Sequence, residues 1–181
     1  PYFYALSENY GSPEEDYLIA YHEGRLTQAS KQVYETLLDN GALNTLDLRK
    51  MAKLSNAKDS EFNKALEQLQ RDFKILPVGV SDAGAWKYSH IYEIVTRHFP
   101  DLSEQARVIK ESQARAKLLD LFFDMVGAAQ LRDVMKLFGW SNELTSRIIA
   151  RLVEKEILVE GVTRKDKTGE WFALTELTNP R

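Results

Sequence analysis

Cysteine is absent from all 181 residues, which excludes a disulfide framework, thiolate zinc sites and a cysteine nucleophile, and fits a reducing cytoplasm. Apolar runs are only a few residues long, so no segment reads as a membrane span. No secretory leader is expected, because Pro1-Tyr2-Phe3-Tyr4 lacks a basic n-region and an apolar h-region. Neither sign of charge dominates: 24 Lys and Arg face 27 Asp and Glu, a net of −3. With no basic tail or polycationic run, any contact with nucleic acid must rest on local patches. No G-x-G-x-x-G, phosphate loop, G-x-S-x-G or H-E-x-x-H is present, so no cofactor or metal is expected. His22, His90 and His98 are scattered, and Asp120 and Asp124, one helical turn apart beside Lys117, read as surface charges.

What remains is an ordinary globular balance, 44% hydrophobic and 28% charged, long enough for one large domain or two small ones. Residues 1–26 form an aromatic and acidic arm. It holds Tyr2, Phe3, Tyr4, Tyr10, Tyr17 and Tyr21, with five acids against the single base Arg25. Its rings are expected to pack on the body, and the arm could also meet a protein partner. Pro13 followed by Glu14 and Glu15 marks a short helix.

From Thr27 the pattern is regular. Val33, Leu37 and Leu38 carry a helical period through Ser30–Asn40, which Gly41 stops. A short second helix follows, capped by Thr45, and a third buries Phe62, Ala65, Leu66, Leu69 and Phe73. Ile75–Val80 and Ala85–Ser89 read as a strand and its return. The order then recurs. Ser103–Val126 is the next first helix, ended by Gly127. Leu131 to Trp140 supplies a second helix, and Ser141-Asn142 caps a third with Leu144, Ile148, Ile149, Leu152 and Val153 on its apolar face. Ile157–Val162 and Glu170–Leu174 are strands around a charged tip. Gly41 and Gly127, like Leu48 and Val134, correspond at an offset of 86, and Leu66 and Leu69 match Ile149 and Leu152 at 83. The expectation is two copies of one unit: a tandem winged helix-turn-helix, mainly α with small β-wings. Its parts are an arm (1–26), a first winged helix (27–90), a connector (91–102) and a second winged helix (103–177).

A helix-turn-helix presents its last helix to the major groove, and its wing to the backbone or minor groove. In the second copy that helix offers Asn142, Ser146, Arg147 and Arg151, residue types suited to base edges and phosphates. The wing tip adds Arg164, Lys165 and Lys167. The first copy is the poorer candidate. Around Lys64 its helix carries Asn63, Glu67, Gln68, Gln70 and Arg71, and its turn Ser81-Asp82-Ala83-Gly84 holds no base.

The tract Gly84-Ala85-Trp86-Lys87-Tyr88…Tyr92-Glu93…His98-Phe99-Pro100, then Ala114-Arg115…Leu118 and Val126-Gly127-Ala128, resembles the YcaQ/AlkZ family of DNA glycosylases. These are winged-helix proteins that excise alkylated and crosslinked bases. The resemblance spans roughly residues 27–175 and aligns the two copies with the family's second and third winged helices. The family's catalytic Gln-hydrophobic-Gln or Gln-hydrophobic-Asp motif lies on a strand of its first winged helix. Here the only literal match, Gln68-Leu69-Gln70, flanks a core leucine of a helix, and the strand Ile75-Leu76-Pro77-Val78 has neither Gln nor Asp. No catalytic residue is therefore carried over. The chain is either a piece lacking the catalytic module, as its Pro1 start would allow, or a relative without catalysis. The reading is a protein that binds duplex DNA without excising a base. A transcriptional regulator dimerising through Ser103–Val126 and an acidic winged-helix scaffold for other proteins are the alternatives.

Overall fold

A computed structural model describes residues 1–83, 88–164 and 167–178, of residues 164 and 167 only the backbone. Among the described residues the chain is mainly helical with two small antiparallel sheets, and it divides into two compact units, Phe3–Val108 and Ile109 onward.

In unit 1 a 3-10 turn at Tyr4–Leu6 precedes α1 (Pro13–His22), which starts on Pro with Glu14, Glu15 and Asp16 in its first turn. Asp16 accepts the backbone N–H groups of Tyr10, Gly11 and Ser12 at 2.9, 3.0 and 3.2 Å, which folds the preceding loop onto the helix. Of the arm's rings, Tyr4 and Tyr17 are buried and Tyr10 is exposed. Tyr17 lies against Tyr34 of α2 (Gln28–Asn40), the ring centroids 4.8 Å apart. Thr27 caps α2 by accepting the Ser30 N–H, Val33 and Leu37 are fully buried, and Gly41 ends the helix at φ +79°.

The two-residue strand β1 (Leu43–Asn44) leads into α3 (Thr45–Met51). The cap of α3 is Asn44 rather than the expected Thr45. The Asn44 carboxamide oxygen accepts the N–H groups of Leu46 and Asp47, while the Thr45 hydroxyl is turned to donate to the His90 carbonyl. Arg49 grips the next turn through the carbonyls of Leu54 and Ala57 and the carboxylate of Asp59, where α4 (Asp59–Arg71) begins. Phe62, Ala65, Leu66 and Leu69 are its buried stripe. Phe73 is not core as expected. At φ +53° the chain turns it outward, 36% exposed, and it stacks on Phe3 at 5.7 Å.

β2 (Ile75–Ser81) pairs with β3 (Ser89–Ile94), and β3 also takes β1, giving the order β1-β3-β2. The return strand runs over Ser89–Ile94, fixed by pairing on both edges and burial of Tyr92 and Ile94, and so continues past the expected Ala85–Ser89, of which residues 85–87 lie outside the described residues. The register slips between Pro77 and Gly79, where proline has no N–H for the ladder. After the short α5 (Val95–His98) and α6 (Leu102–Arg107) comes α7 (Glu111–Val126). A single helix over Ser103–Val126 is thus overturned. Lys110 is extended (ψ 145°) and caps α7, and its N–H is taken by the Gln113 side chain at 3.0 Å.

Unit 2 repeats the order. Gly127 at φ +73° ends α7, and β4 (Ala128–Ala129) precedes α8 (Leu131–Phe138). Ser141 caps α9 (Asn142–Glu154) by accepting the Leu144 N–H. β5 (Leu158–Arg164) and β6 (Lys167–Leu174) follow in a sheet ordered β4-β6-β5, then α10 (Thr175–Thr178). These strands run further than Ile157–Val162 and Glu170–Leu174, since pairing continues to Arg164 opposite Lys167. Gln130 ties the start of α8 to the Thr168 carbonyl at 3.0 Å.

The two units correspond bond for bond at the end of their third helices. Phe73 and Glu156, 83 positions apart, both take positive φ (53° and 59°). The next N–H groups, of Lys74 and Ile157, return to the Leu69 and Leu152 carbonyls at 2.9 and 3.0 Å. Ile75 and Leu158 then begin the strands, each 1% exposed.

Candidate nucleic-acid interface

An amphipathic helix that buries Thr145, Ile148, Ile149 and Leu152 must turn the residues between them outward. On α9 these are Asn142, Glu143, Ser146, Arg147, Ala150 and Arg151, all exposed. Asn142 and Ser146 are one turn apart, the hydroxyl donating to the Asn142 carboxamide oxygen at 3.4 Å. Arg147 and Arg151 are likewise one turn apart and line a groove of about 420 Å³ with the start of α7. α7 contributes Lys110, Glu111, Ser112, Arg115 and Ala116. Among the described residues, Lys110, Arg147 and Arg151 form no ion pair.

Arg115 is held in place. Its Nε and Nη2 bond the Glu111 carboxylate at 2.9 and 2.8 Å, and its guanidinium lies over the Trp140 ring at 5.1 Å. That indole also stacks on Phe138, the ring centroids 4.4 Å apart. Lys110 was not among the residues singled out from sequence, and Arg115 entered only through the tract that carries the family resemblance, not as a contact residue. Their approach to α9 is tertiary, and no spacing along the chain announces it. Of the wing candidates, Arg164 and Lys167 are placed by backbone only, at the paired ends of β5 and β6, and Lys165 lies outside the described residues.

The equivalent groove of unit 1 differs in charge. Lys64 lines it, exposed as expected, but with Glu61, Glu67 and Arg71, so two acids face two bases. Gln68 stands where unit 2 has Arg151, and it is fully engaged. Its oxygen accepts from the Ser30 hydroxyl at 2.6 Å and the Thr27 N–H at 3.3 Å, and its nitrogen donates to the Arg25 carbonyl at 2.7 Å. Gln70 bonds the Leu66 carbonyl of its own helix. The Gln68-Leu69-Gln70 tract is thus a tie between α4 and the start of α2.

Asp120 pairs with Lys117 at 2.6 Å. His90 lies edge-on to Tyr88 and Tyr92, and His98 to Phe99. Among the described residues no group of three or more His, Cys, Asp or Glu could hold a metal ion, and no helix is long and apolar enough to cross a membrane.

No curated protein and no solved structure matches the chain. Residues 1–139 match the AlkZ-related family, a stretch that takes in unit 1 with α7 and α8 and ends before α9. The chain belongs to the AlkZ-related family, which ties it to the DNA-repair glycosylases.

Proposed function

We propose that the chain is a tandem winged-helix module that binds duplex DNA through unit 2 and excises no base itself. The carrying observation is the outer face of α9, where Asn142, Ser146, Arg147 and Arg151 are exposed together and neither arginine has an acidic partner among the described residues. In each unit the order helix, short strand, helix, helix, strand, strand suits presentation of the third helix to a major groove beside a wing. Kinship with repair glycosylases makes DNA the partner to test first. Phosphate contacts come from Arg147, Arg151 and the wing residues Arg164, Lys165 and Lys167, and base-edge contacts from Asn142 and Ser146. Unit 1, with Lys64 among acids, contributes little.

The test is fluorescence anisotropy on a plain labelled duplex, titrated from low to physiological salt. Binding should weaken steeply with salt, by a log–log slope of about −0.9 per phosphate contact. Charge reversal at Arg164, Lys165 and Lys167 should abolish it, and Lys64→Glu should change affinity less than twofold. No binding by the wild type at low salt defeats the reading. The acidic arm and the exposed Leu121 and Met125 of α7 would then favour a role in binding other proteins.

A further inference from the structure

The groove between the start of α7 and α9 differs from its counterpart in unit 1 at matched positions. At the same offset of 83, Glu61 and Glu67 of unit 1 become Leu144 and Ala150, Lys64 becomes Arg147, and Gln68 becomes Arg151. The third helix of unit 2 thus brings no acid to its groove, and where unit 1 has the side chain that ties that helix to the first, unit 2 has an exposed cation. The result is a groove with Leu144, Ile148 and Ala116 in its wall and Lys110, Arg115, Arg147 and Arg151 around it, against the one acid Glu111. Glu111 is already engaged by Arg115. Gathering like charges without neutralising them is unfavourable in the free protein. An anionic ligand would relieve that repulsion.

We propose that this groove is a phosphodiester clamp, in which Lys110, Arg147 and Arg151 take neighbouring phosphates of one strand. The two arginines are four positions apart, about 6 Å along the helix axis, so each addresses a different phosphate. Lys110 approaches from the other wall. Arg115 is the positioning residue. Fixed by Glu111 and Trp140, it holds the cationic wall in shape without side-chain motion. The clamp rests on the DNA reading and deepens it, because it adds α7 to a surface otherwise made of α9 and the wing. It also makes the contact independent of sequence, since phosphates carry no base identity.

The experiment uses the full chain and a labelled duplex, with salt titrations of the wild type, Lys110→Ala, Arg151→Gln and a wing variant with Arg164, Lys165 and Lys167 changed to Ala. Lys110 and Arg151 are both exposed, so their substitution leaves the fold intact. Each groove variant should weaken binding severalfold at low salt, equally on unrelated duplex sequences, and reduce the salt slope by about 0.9. If the wing variant loses affinity while both groove variants keep wild-type affinity and slope, the clamp is overturned and DNA binding stands. If the wild type does not bind at all, the DNA reading fails and the clamp with it. Displacement of the duplex by inorganic phosphate at constant ionic strength, abolished in Arg151→Gln, would make the occupant a free anion and overturn the strand assignment.

Discussion

Glu156 sits just after α9 with φ +59° and is exposed, a conformation in which its Cβ crowds the following carbonyl. Glycine there should relieve that crowding and raise the unfolding free energy by about 0.5–1 kcal/mol, net of its greater freedom when unfolded. Phe73 occupies the matching position but stacks on Phe3. Phe73→Gly should therefore bring no gain, since the ring pair is worth about as much as the strain. Urea unfolding of both variants checks the contrast, and equal gains would mean the Phe3 stack contributes nothing. The opposite economy holds at Lys74. It is 6% exposed and donates to the Asn9 side chain at 2.7 Å, while Asn9 in turn donates to the Asp72 carbonyl. Burial pushes its pKa below the ordinary 10.5. At this scale the sequence revealed residue types but not conformations. Periodicity put Phe73 on the core stripe of α4, and only the left-handed turn that ends the helix takes it off. Gln68 likewise reads as a solvent-facing glutamine until α2 is brought beside it.

Both long first helices stop at glycines that no side-chain residue replaces cheaply. Gly41 has φ +79° and ψ −158°, and Gly127 has φ +73° and ψ −45°. Alanine at either should cost about 1–3 kcal/mol in backbone strain. At Gly127 a Cβ would also come within 2.9 Å of the Leu177 side chain, whereas at Gly41 the nearest atom is 3.9 Å away. Thermal unfolding should therefore show Gly127→Ala at least as destabilising as Gly41→Ala; a negligible effect at both would refute the strain argument. The elements that sequence revealed are those with long period or strong punctuation: α2, α4, α9 and the α9 cap Ser141. The ones it missed have neither. β1 and β4 are two residues each, too short to alternate, and exist because β3 and β6 offer them an edge. The break between α6 and α7 contains no glycine or proline. It is made by a lysine in extended conformation whose N–H finds a glutamine side chain.

Across the molecule the two units share a plan and divide the chemistry. Residues 1–108 carry 12 Lys and Arg against 16 Asp and Glu, and residues 109–181 carry 12 against 11. All eight tyrosines lie at or before Tyr92. Burial raises the pKa of Tyr4, Tyr34 and Tyr92, and burial together with the Glu35 hydrogen bond pushes Tyr17 up to about 12. A phenol whose folded pKa exceeds its unfolded value of 10.0 binds more protons when folded. The stability it lends is present below pH 10 and lost as pH rises from 10 towards 12. Lys74 acts the other way. Its charge is penalised at neutral pH, and that penalty is relieved as pH rises towards 10.5. Four phenols outweigh one amine, so the melting temperature should fall between pH 10 and 12. Tyr17→Phe with Tyr34→Phe should flatten the fall relative to wild type; an unchanged slope would show that these two phenols do not drive it. The repeat was legible in sequence because its glycines and core residues keep their offsets. The division of charge between two equivalent grooves was not, because α2 with α4 and α7 with α9 meet only in the fold.

The contacts of the Trp140 indole with Phe138 and the Arg115 guanidinium have an optical consequence. Indole emission responds to nearby charge, so a phosphate entering the adjacent groove should shift the Trp140 emission even with Arg115 held in place, and changing Trp86 and Trp171 to Phe isolates that signal. Tyrosinate absorbance belongs to the acidic half alone, since every tyrosine lies at or before Tyr92, whereas the three indoles are shared between the halves as Trp86, Trp140 and Trp171.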